Sequence, residues 1–143
     1  MINLLTGIDS TASALDAERI RMDVIAGNIA NANVTRGVDG KPYQRQEVVF
    51  ESVLRDRLNS DSADAGSEMV RIARVQKDSR PPRMIYSPGH PDANAQGMVA
   101  TPNINIHEEM VDMIASSRSY EANLAVVKNA RSMAMQALSI AKH

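Results

Sequence analysis

The sequence contains no cysteine and no tryptophan, and its aromatic residues are three tyrosines and one phenylalanine. The absence of cysteine excludes disulfides, thiolate catalysis and cysteine-liganded zinc sites. Nine methionines and many alanines supply much of the apolar surface instead. Compact α/β enzymes usually carry more aromatic bulk than this, so the composition favours helices packed against helices.

An excess of one charge is also lacking. The formal net charge is −1, and neither the two ends nor the middle of the chain departs far from neutrality. Nucleic-acid binders normally show a basic surplus, so we expect no nucleic-acid partner. No apolar run approaches the ~20 residues that span a bilayer. The start, MINLLTGIDS, lacks the basic and apolar regions of a signal peptide, so we expect any export to proceed without a cleavable signal.

Two stretches have the apolar spacing of long amphipathic helices. The first runs from about Thr6 to Ala32, and the second runs from about Ile106 to Ala141 without glycine or proline. Asn105, followed three residues later by Glu108, is a typical start signal for the second helix. Its heptad spacing is sustained over five repeats, which is typical of a coiled coil. At ~1.5 Å per residue this helix would be about 50 Å long.

These predictions give a mainly α fold in which the two long terminal helices pair as a coiled coil. Residues 1–36 and 103–143 would form one discontinuous helical domain. Residues 37–102 would form a small, loop-rich, partly β middle module, with strands near 48–50, 70–75 and 84–86 and a polar loop over 59–67. Asp39-Gly40 indicates a turn in this module.

A chain of 143 residues is too short to cover two such helices, so part of their apolar surface should meet other chains. The residues that we expect at this assembly interface follow the apolar spacing of the two helices: Leu5, Ile8, Leu15, Met22, Ile25 and Ile29 in the first, and Met110, Met113, Tyr120, Leu124, Val127 and Leu138 in the second.

No motif for catalysis or cofactor binding is complete. His107 opens HEEMV, which has Val111 where the second histidine of a zinc-protease HExxH motif must stand. Phosphate-binding glycine loops and nucleophile elbows are missing. We therefore expect no enzyme activity, no cofactor, no metal and no small-molecule substrate.

Basic residues recur from Arg71 to Arg83 at every third position. They would suit an anionic partner, but no aromatic residues are interleaved for stacking. Pro81-Pro82 also prevents a continuous basic helix. A solvated surface is the favoured interpretation.

The first helix should end in an unusual run of amides, NIANANV, at residues 28–34. Asparagine is a poor residue for a helix interior and favours turns, so the run predicts a helix stop. A second interpretation gives Asn28 and Asn31 a further role, since they lie one turn apart beside the small residues Ala26, Gly27 and Ala30. Their amides would bond across a subunit boundary or brace the junction between helix and loop.

Both ends of the chain resemble one family. ALDAERIRMDVIAGNIANANVTRG with GKPYQRQEVVF, and PNINIHEEMVDMIASSRSYEANLAVVKNARSMAMQALSIA, are similar to the matching ends of bacterial flagellar axial proteins, the rod and hook group. The family motif would comprise Asn28, Ala30, Asn31, Ala32, Asn33 and Tyr43. Most of the group runs straight from the asparagines into Pro-Gly-Tyr. Here VTRGVDGKPY intervenes, as in the branch of small proximal rod proteins.

The resemblance implies a structural subunit of the proximal rod, the periplasmic shaft that transmits motor torque to the hook and filament. It implies export by the flagellar type III apparatus after cytoplasmic synthesis. The implied partners are further copies of the chain, other rod proteins, the export apparatus and the adaptor between the rod and the MS ring. A helical adaptor or export chaperone stays the alternative from another class, and deletion of residues 107–143 would separate the two.

Overall fold

A computed structural model of the chain describes residues 4–54 and 68–140. It contains two long helices, one at each end, and two small antiparallel sheets between them. The predicted arrangement of terminal helices around a partly β middle is therefore confirmed. In chain order the elements are α1 (Leu4–Ala30), β1 (Gln46–Leu54), β2 (Glu68–Lys77), β3 (Arg83–Tyr86), β4 (Met98–Thr101) and α2 (Ile106–Ile140).

α2 begins where its sequence predicts. The Asn105 side-chain oxygen accepts the His107 backbone N–H at 3.1 Å, and the Asn105 carbonyl accepts the Glu109 N–H at 3.1 Å. Glu108 and Glu109 place negative charge in the first turn, where the helix dipole favours it. With no glycine or proline, the helix then continues for 35 residues. Within the part of the chain described, neither helix is long and apolar enough to cross a membrane.

The two helices pack antiparallel. Asn28, near the end of α1, contacts Glu109 in the first turns of α2, while Glu18 contacts Ser116 farther along. The covered face of α1 includes Ala17, Ile25 and Asn28. The predicted seam residues of α1 lie about one position around the helix from this face and are half-buried: Ile8, Leu15, Met22 and Ile29. The face of α1 that α2 covers therefore differs from the predicted apolar stripe.

The larger sheet lies against α1. β1 and β2 are antiparallel, with Gln46 opposite Lys77 and an irregularity between Val49 and Phe50. The Arg21 guanidinium lies 6.0 Å from the centre of the Phe50 ring, at the edge of cation–π range. The predicted strand near 48–50 and that near 70–75 are confirmed by this pair. The loop predicted over 59–67 lies outside the described residues.

The smaller sheet pairs β3 with β4, in the register Arg83 opposite Thr101. β3 confirms the strand expected near 84–86, but β4 was missed, because four residues in a proline- and glycine-rich stretch show no clear alternation. At Gly97 the backbone φ is +73°, and a Cβ would lie 3.0 Å from Tyr86 Cε2. The hairpin loop is tied to the segment after α1, since the Thr35 hydroxyl donates to Asp92 Oδ2 at 2.8 Å.

Candidate assembly interface and its polar junction

Asn28 lies at the point where α1, α2 and β1 meet, and only 1% of its surface is exposed. Its Nδ2 donates to the Gln46 carbonyl at 2.8 Å and to Glu109 Oε2 at 3.0 Å. Its Oδ1 accepts the Gln46 backbone N–H at 2.8 Å and the Tyr43 hydroxyl at 3.2 Å. The side-chain amide therefore pairs with both backbone groups of the first residue of β1. All its donors are used, as burial requires.

Glu109 is equally buried, with 1% exposed, and its negative charge is matched by Arg45. The Arg45 Nε lies 2.6 Å from Glu109 Oε1. A guanidinium nitrogen of Arg45 is also 4.0 Å from Asp112 on the next turn of α2. An isolated carboxylate would be costly at this depth, so Arg45 and Asn28 together make the burial of Glu109 tolerable. We call Asn28, Tyr43, Arg45, Gln46 and Glu109 the polar junction.

The other asparagines of the run act within α1 or face solvent. Asn31 Nδ2 donates to the Gly27 carbonyl at 2.8 Å, and the Asn31 backbone N–H bonds the same oxygen at 3.1 Å. Asn33 is exposed, whereas Ala32 is buried. Asn31 thus supports the helix stop, and Asn28 braces the junction between helix and loop within one chain.

The environment of Tyr43 gives a pH prediction. Burial, followed by the nearby negative charge of Glu109, raises the pKa of the Tyr43 hydroxyl above its usual value of about 10. The folded state then holds this proton more tightly than the unfolded chain. The stabilisation is complete below pH 10 and is lost as pH rises through the folded pKa. We expect Tyr43→Phe to flatten the alkaline limb of a stability profile measured by urea unfolding, and a limb that this substitution leaves unchanged would contradict the prediction.

A second polar contact lies between the helices. Ser116 is fully buried, and its hydroxyl donates to the Glu18 side-chain carboxylate. Its oxygen also lies 3.3 Å from the Glu18 carbonyl oxygen. Polar residues at a helix seam select register, because any sliding leaves them unpaired. Together with Asn28 and Glu109, this contact fixes how α1 and α2 align.

The predicted interface residues differ in how far the rest of the chain covers them. Ile25 is buried against the rest of the chain. Leu5 lies in α1, but its side chain is outside the described part. The others of α1, and Met113, Tyr120, Leu124 and Val127 of α2, are partly covered, whereas Met110 and Leu138 are mostly exposed. Seven further exposed large apolar residues of α2 were not predicted: Ile106, Val111, Ile114, Val126, Met133, Met135 and Ile140.

The last turns of α2 extend beyond the cover that α1 provides. From residue 131 to residue 140 every residue except Ala134 is exposed. Exposure reaches 63% at Leu138 and 76% at Ile140. A run of exposed large apolar side chains indicates a site of interaction with another chain. We call residues 131–140 the overhang of α2.

The basic run does not form one surface. Arg71, Arg74 and Lys77 belong to β2, and Arg83 begins β3 in the other sheet. Arg80 is paired with Asp78 at 2.6 Å, and this hydrogen-bonded contact lowers the pKa of the Asp78 carboxyl. Among the described residues no group of three acidic, histidine or cysteine side chains could hold a metal ion.

Comparison with known proteins matches both ends of the chain to rod families. Residues 8–37 match a family model described as flagella basal body rod protein, and residues 95–140 match the C-terminal model of the flagellar basal body rod FlgEFG proteins. The FlgC rod protein of Borreliella burgdorferi is 40% identical, covering 97% of this chain and 98% of its own length. The chain belongs to the FlgC family of flagellar basal-body rod proteins.

Further FlgC proteins are similar to this chain over nearly its whole length. FlgC of Bacillus subtilis is 40% identical, and the match covers 94% of this chain and 96% of the Bacillus protein. FlgC of Yersinia enterocolitica is 38% identical, and the match covers 97% of this chain and 98% of the Yersinia protein. The predicted resemblance to the rod group is confirmed, and the protein is a structural subunit of the basal-body rod. Asn28 lies in one matched segment and Glu109 in the other. The polar junction therefore joins the two parts of the chain that family models match.

Proposed function

We propose that this FlgC-family chain builds the proximal part of the rod by polymerising through α1 and α2. The observation that supports this is the distribution of apolar residues. The contact between the two helices buries Asn28, Glu109 and Ser116, while large apolar side chains of α2 stay outside. A helix pair that buries three polar side chains and leaves many large apolar side chains of α2 exposed suits a subunit that other chains complete.

We further propose a finer organisation of the subunit. Residues 1–36 and 103–143 form the helical domain, and 37–102 form the middle module attached to it by the polar junction. In the assembly, neighbouring helices cover the half-buried stripe of α1 and the overhang of α2 with coiled-coil packing. Contacts between different surfaces of identical copies generate a helical shaft when the rotation from one copy to the next does not close into a ring. Torque is then carried by many such contacts in parallel.

The chain is not an enzyme and uses no cofactor in this role. After synthesis in the cytoplasm it leaves through the flagellar type III export apparatus. Its partners in the periplasmic shaft are further copies, other rod proteins and the adaptor between rod and MS ring. Helices that gain much of their apolar cover only from neighbours are compatible with passage through a narrow channel, because incompletely covered helices are readily unfolded.

The test is a strain that lacks the gene, examined by electron cryotomography of its basal bodies. The full chain should restore rods and be recovered in purified basal bodies. The chain lacking residues 107–143 should restore none. If the protein were a helical adaptor or export chaperone, the strain with the chain that lacks residues 107–143 would still have some complete rods. The full chain would then be absent from purified basal bodies. Either finding would contradict the proposal.

A further inference from the structure

α1 has an exposed face directly opposite the one that packs on α2. Seven residues at alternating spacings of three and four form it, and all are exposed. We call this set the outer face of α1: Asp9, Ala12, Asp16, Arg19, Asp23, Ala26 and Ala30. At 100° per residue these positions fall within one side of the helix.

α2 has a matching face on its own far side. Its members also follow the spacing of one helix side, and all are exposed. It begins with Val111 and Ile114, whose exposed fractions are 65% and 54%. We call this set the outer face of α2: Val111, Ile114, Arg118, Glu121, Ala125, Lys128 and Ser132.

The charges on these faces are unpaired and complementary. Among residues 4–54 and 68–140, no ion pair involves any charged member of either outer face. Along α1 from 23 back to 16, the signs run negative, positive, negative through Asp23, Arg19 and Asp16. Along α2 from 118 to 128, they run positive, negative, positive.

We propose that the outer face of α1 docks on the outer face of α2 in a second copy of this chain, with the two helices antiparallel. The inference rests on the proposed function, since copies in a shaft share one orientation. α1 and α2 are antiparallel within the chain, so α1 of one copy is antiparallel to α2 of an equally oriented neighbour. The contact joins two different surfaces and therefore repeats from copy to copy.

One alignment satisfies both the charges and the sizes of the side chains. It sets Asp23 against Arg118 and Arg19 against Glu121. Ala26 and Ala30 then fall opposite Ile114 and Val111, so that large side chains meet small ones, as close packing of helices requires.

The same alignment also brings a third pair of opposite charges, Asp16 and Lys128, close together. Asp16 falls opposite Ala125, one turn from Lys128. This axial offset of ~4.5 Å is within reach of a lysine side chain. Asp9 falls opposite Ser132, where no charge opposes it.

The outer face of α1 docks on a second copy because the two outer faces of one chain cannot contact each other. The two outer faces lie on opposite sides of the α1–α2 pair, and the axes of packed helices are already ~8–10 Å apart. The polar junction and the Glu18–Ser116 contact hold this arrangement, so neither helix turns its outer face inward without leaving a buried carboxylate unpaired.

Charge reversal tests the contact. In the strain that lacks the gene, Asp16→Lys with Asp23→Lys should lose rods and motility. Adding Arg118→Glu and Lys128→Glu to the same chain should restore both. The control reverses Asp39 and Lys41, which are exposed in the loop after α1, and should leave rods intact. Tolerance of the first reversal, or a loss that the second pair does not restore, would overturn the proposal.

Cross-linking supplies an independent measurement, because the native chain has no cysteine. Asp23→Cys with Arg118→Cys, treated with a short bismaleimide in purified basal bodies, should give a ladder of dimers and longer species. The control pair, Asp39→Cys with Arg118→Cys, should give none.

Assembled rods without the ladder, or a link to a different rod protein, would overturn the docking and leave the proposed function standing. Absence of the unmodified chain from basal bodies would instead overturn the proposed function.

Discussion

Asn28→Ala is expected to lower the free energy of unfolding by about 3 kcal/mol, because a buried polar group left without its partner costs about 1–3 kcal/mol. The truncation leaves both backbone groups of Gln46 unpaired and removes one of the donors to Glu109. Alanine cannot replace any of these bonds. The measurement is urea unfolding of the purified chain followed by circular dichroism.

Asn33→Ala is the matched control, since Asn33 belongs to the same run of amides but is exposed. It should change the free energy of unfolding by less than about 0.5 kcal/mol, the usual range for surface substitutions. Equal losses in the two variants would mean that the run of asparagines acts only as a helix stop. Asn28→Asp should destabilise as well, because it brings a second carboxylate beside the buried Glu109.

Replacing the four large apolar residues of the overhang with serine is expected to abolish rod assembly without destabilising the monomer. Little apolar surface is lost from the folded chain, because Met133, Met135, Leu138 and Ile140 are all more than half exposed. Burial of a large apolar side chain contributes about 1.5–3 kcal/mol, so a neighbour that covers this surface loses a large part of its binding energy. Urea unfolding measures the first effect, and tomography of basal bodies measures the second.

The control replaces polar residues of the same turns, Ser132, Gln136 and Ser139, with alanine. These positions are equally exposed, and both assembly and stability should stay near those of the native chain. Normal rods in the serine variant would show that the overhang faces solvent in the assembly. A large drop in monomer stability would show that the overhang packs within the chain.

Local sequence signals predicted the secondary structure well where they were strong. The Asn105 cap and the absence of glycine and proline define α2, and the asparagine run ends α1 within two residues of the expected position. β4 carries no such signal, because MVAT is short and follows a stretch of turn residues. Its pairing with β3 is an interaction between strands that neither segment specifies alone.

The sequence indicated only part of the polar junction. Asn28 stood out because it belongs to an unusual run of amides at the end of a predicted helix, beside small residues. Glu109 gave a misleading signal, since two glutamates at a helix start are explained by the helix dipole alone. Their contact joins residues 81 positions apart. Arg45, which neutralises Glu109, belongs to a segment with no regular pattern.

From the sequence alone we predicted two long helices that flank a partly β middle, and the family to which such paired end motifs belong. These properties follow from spacing, capping and turn residues, which act over a few positions of the chain. Which faces of the helices meet is visible only in the folded structure. That choice depends on buried polar groups from three segments that are distant in the sequence. Each group needs a hydrogen-bond partner in another segment, and this requirement limits how the apolar faces of the helices can pack. The large apolar side chains of α2 that this arrangement leaves exposed form the surface that we propose for contact with other subunits.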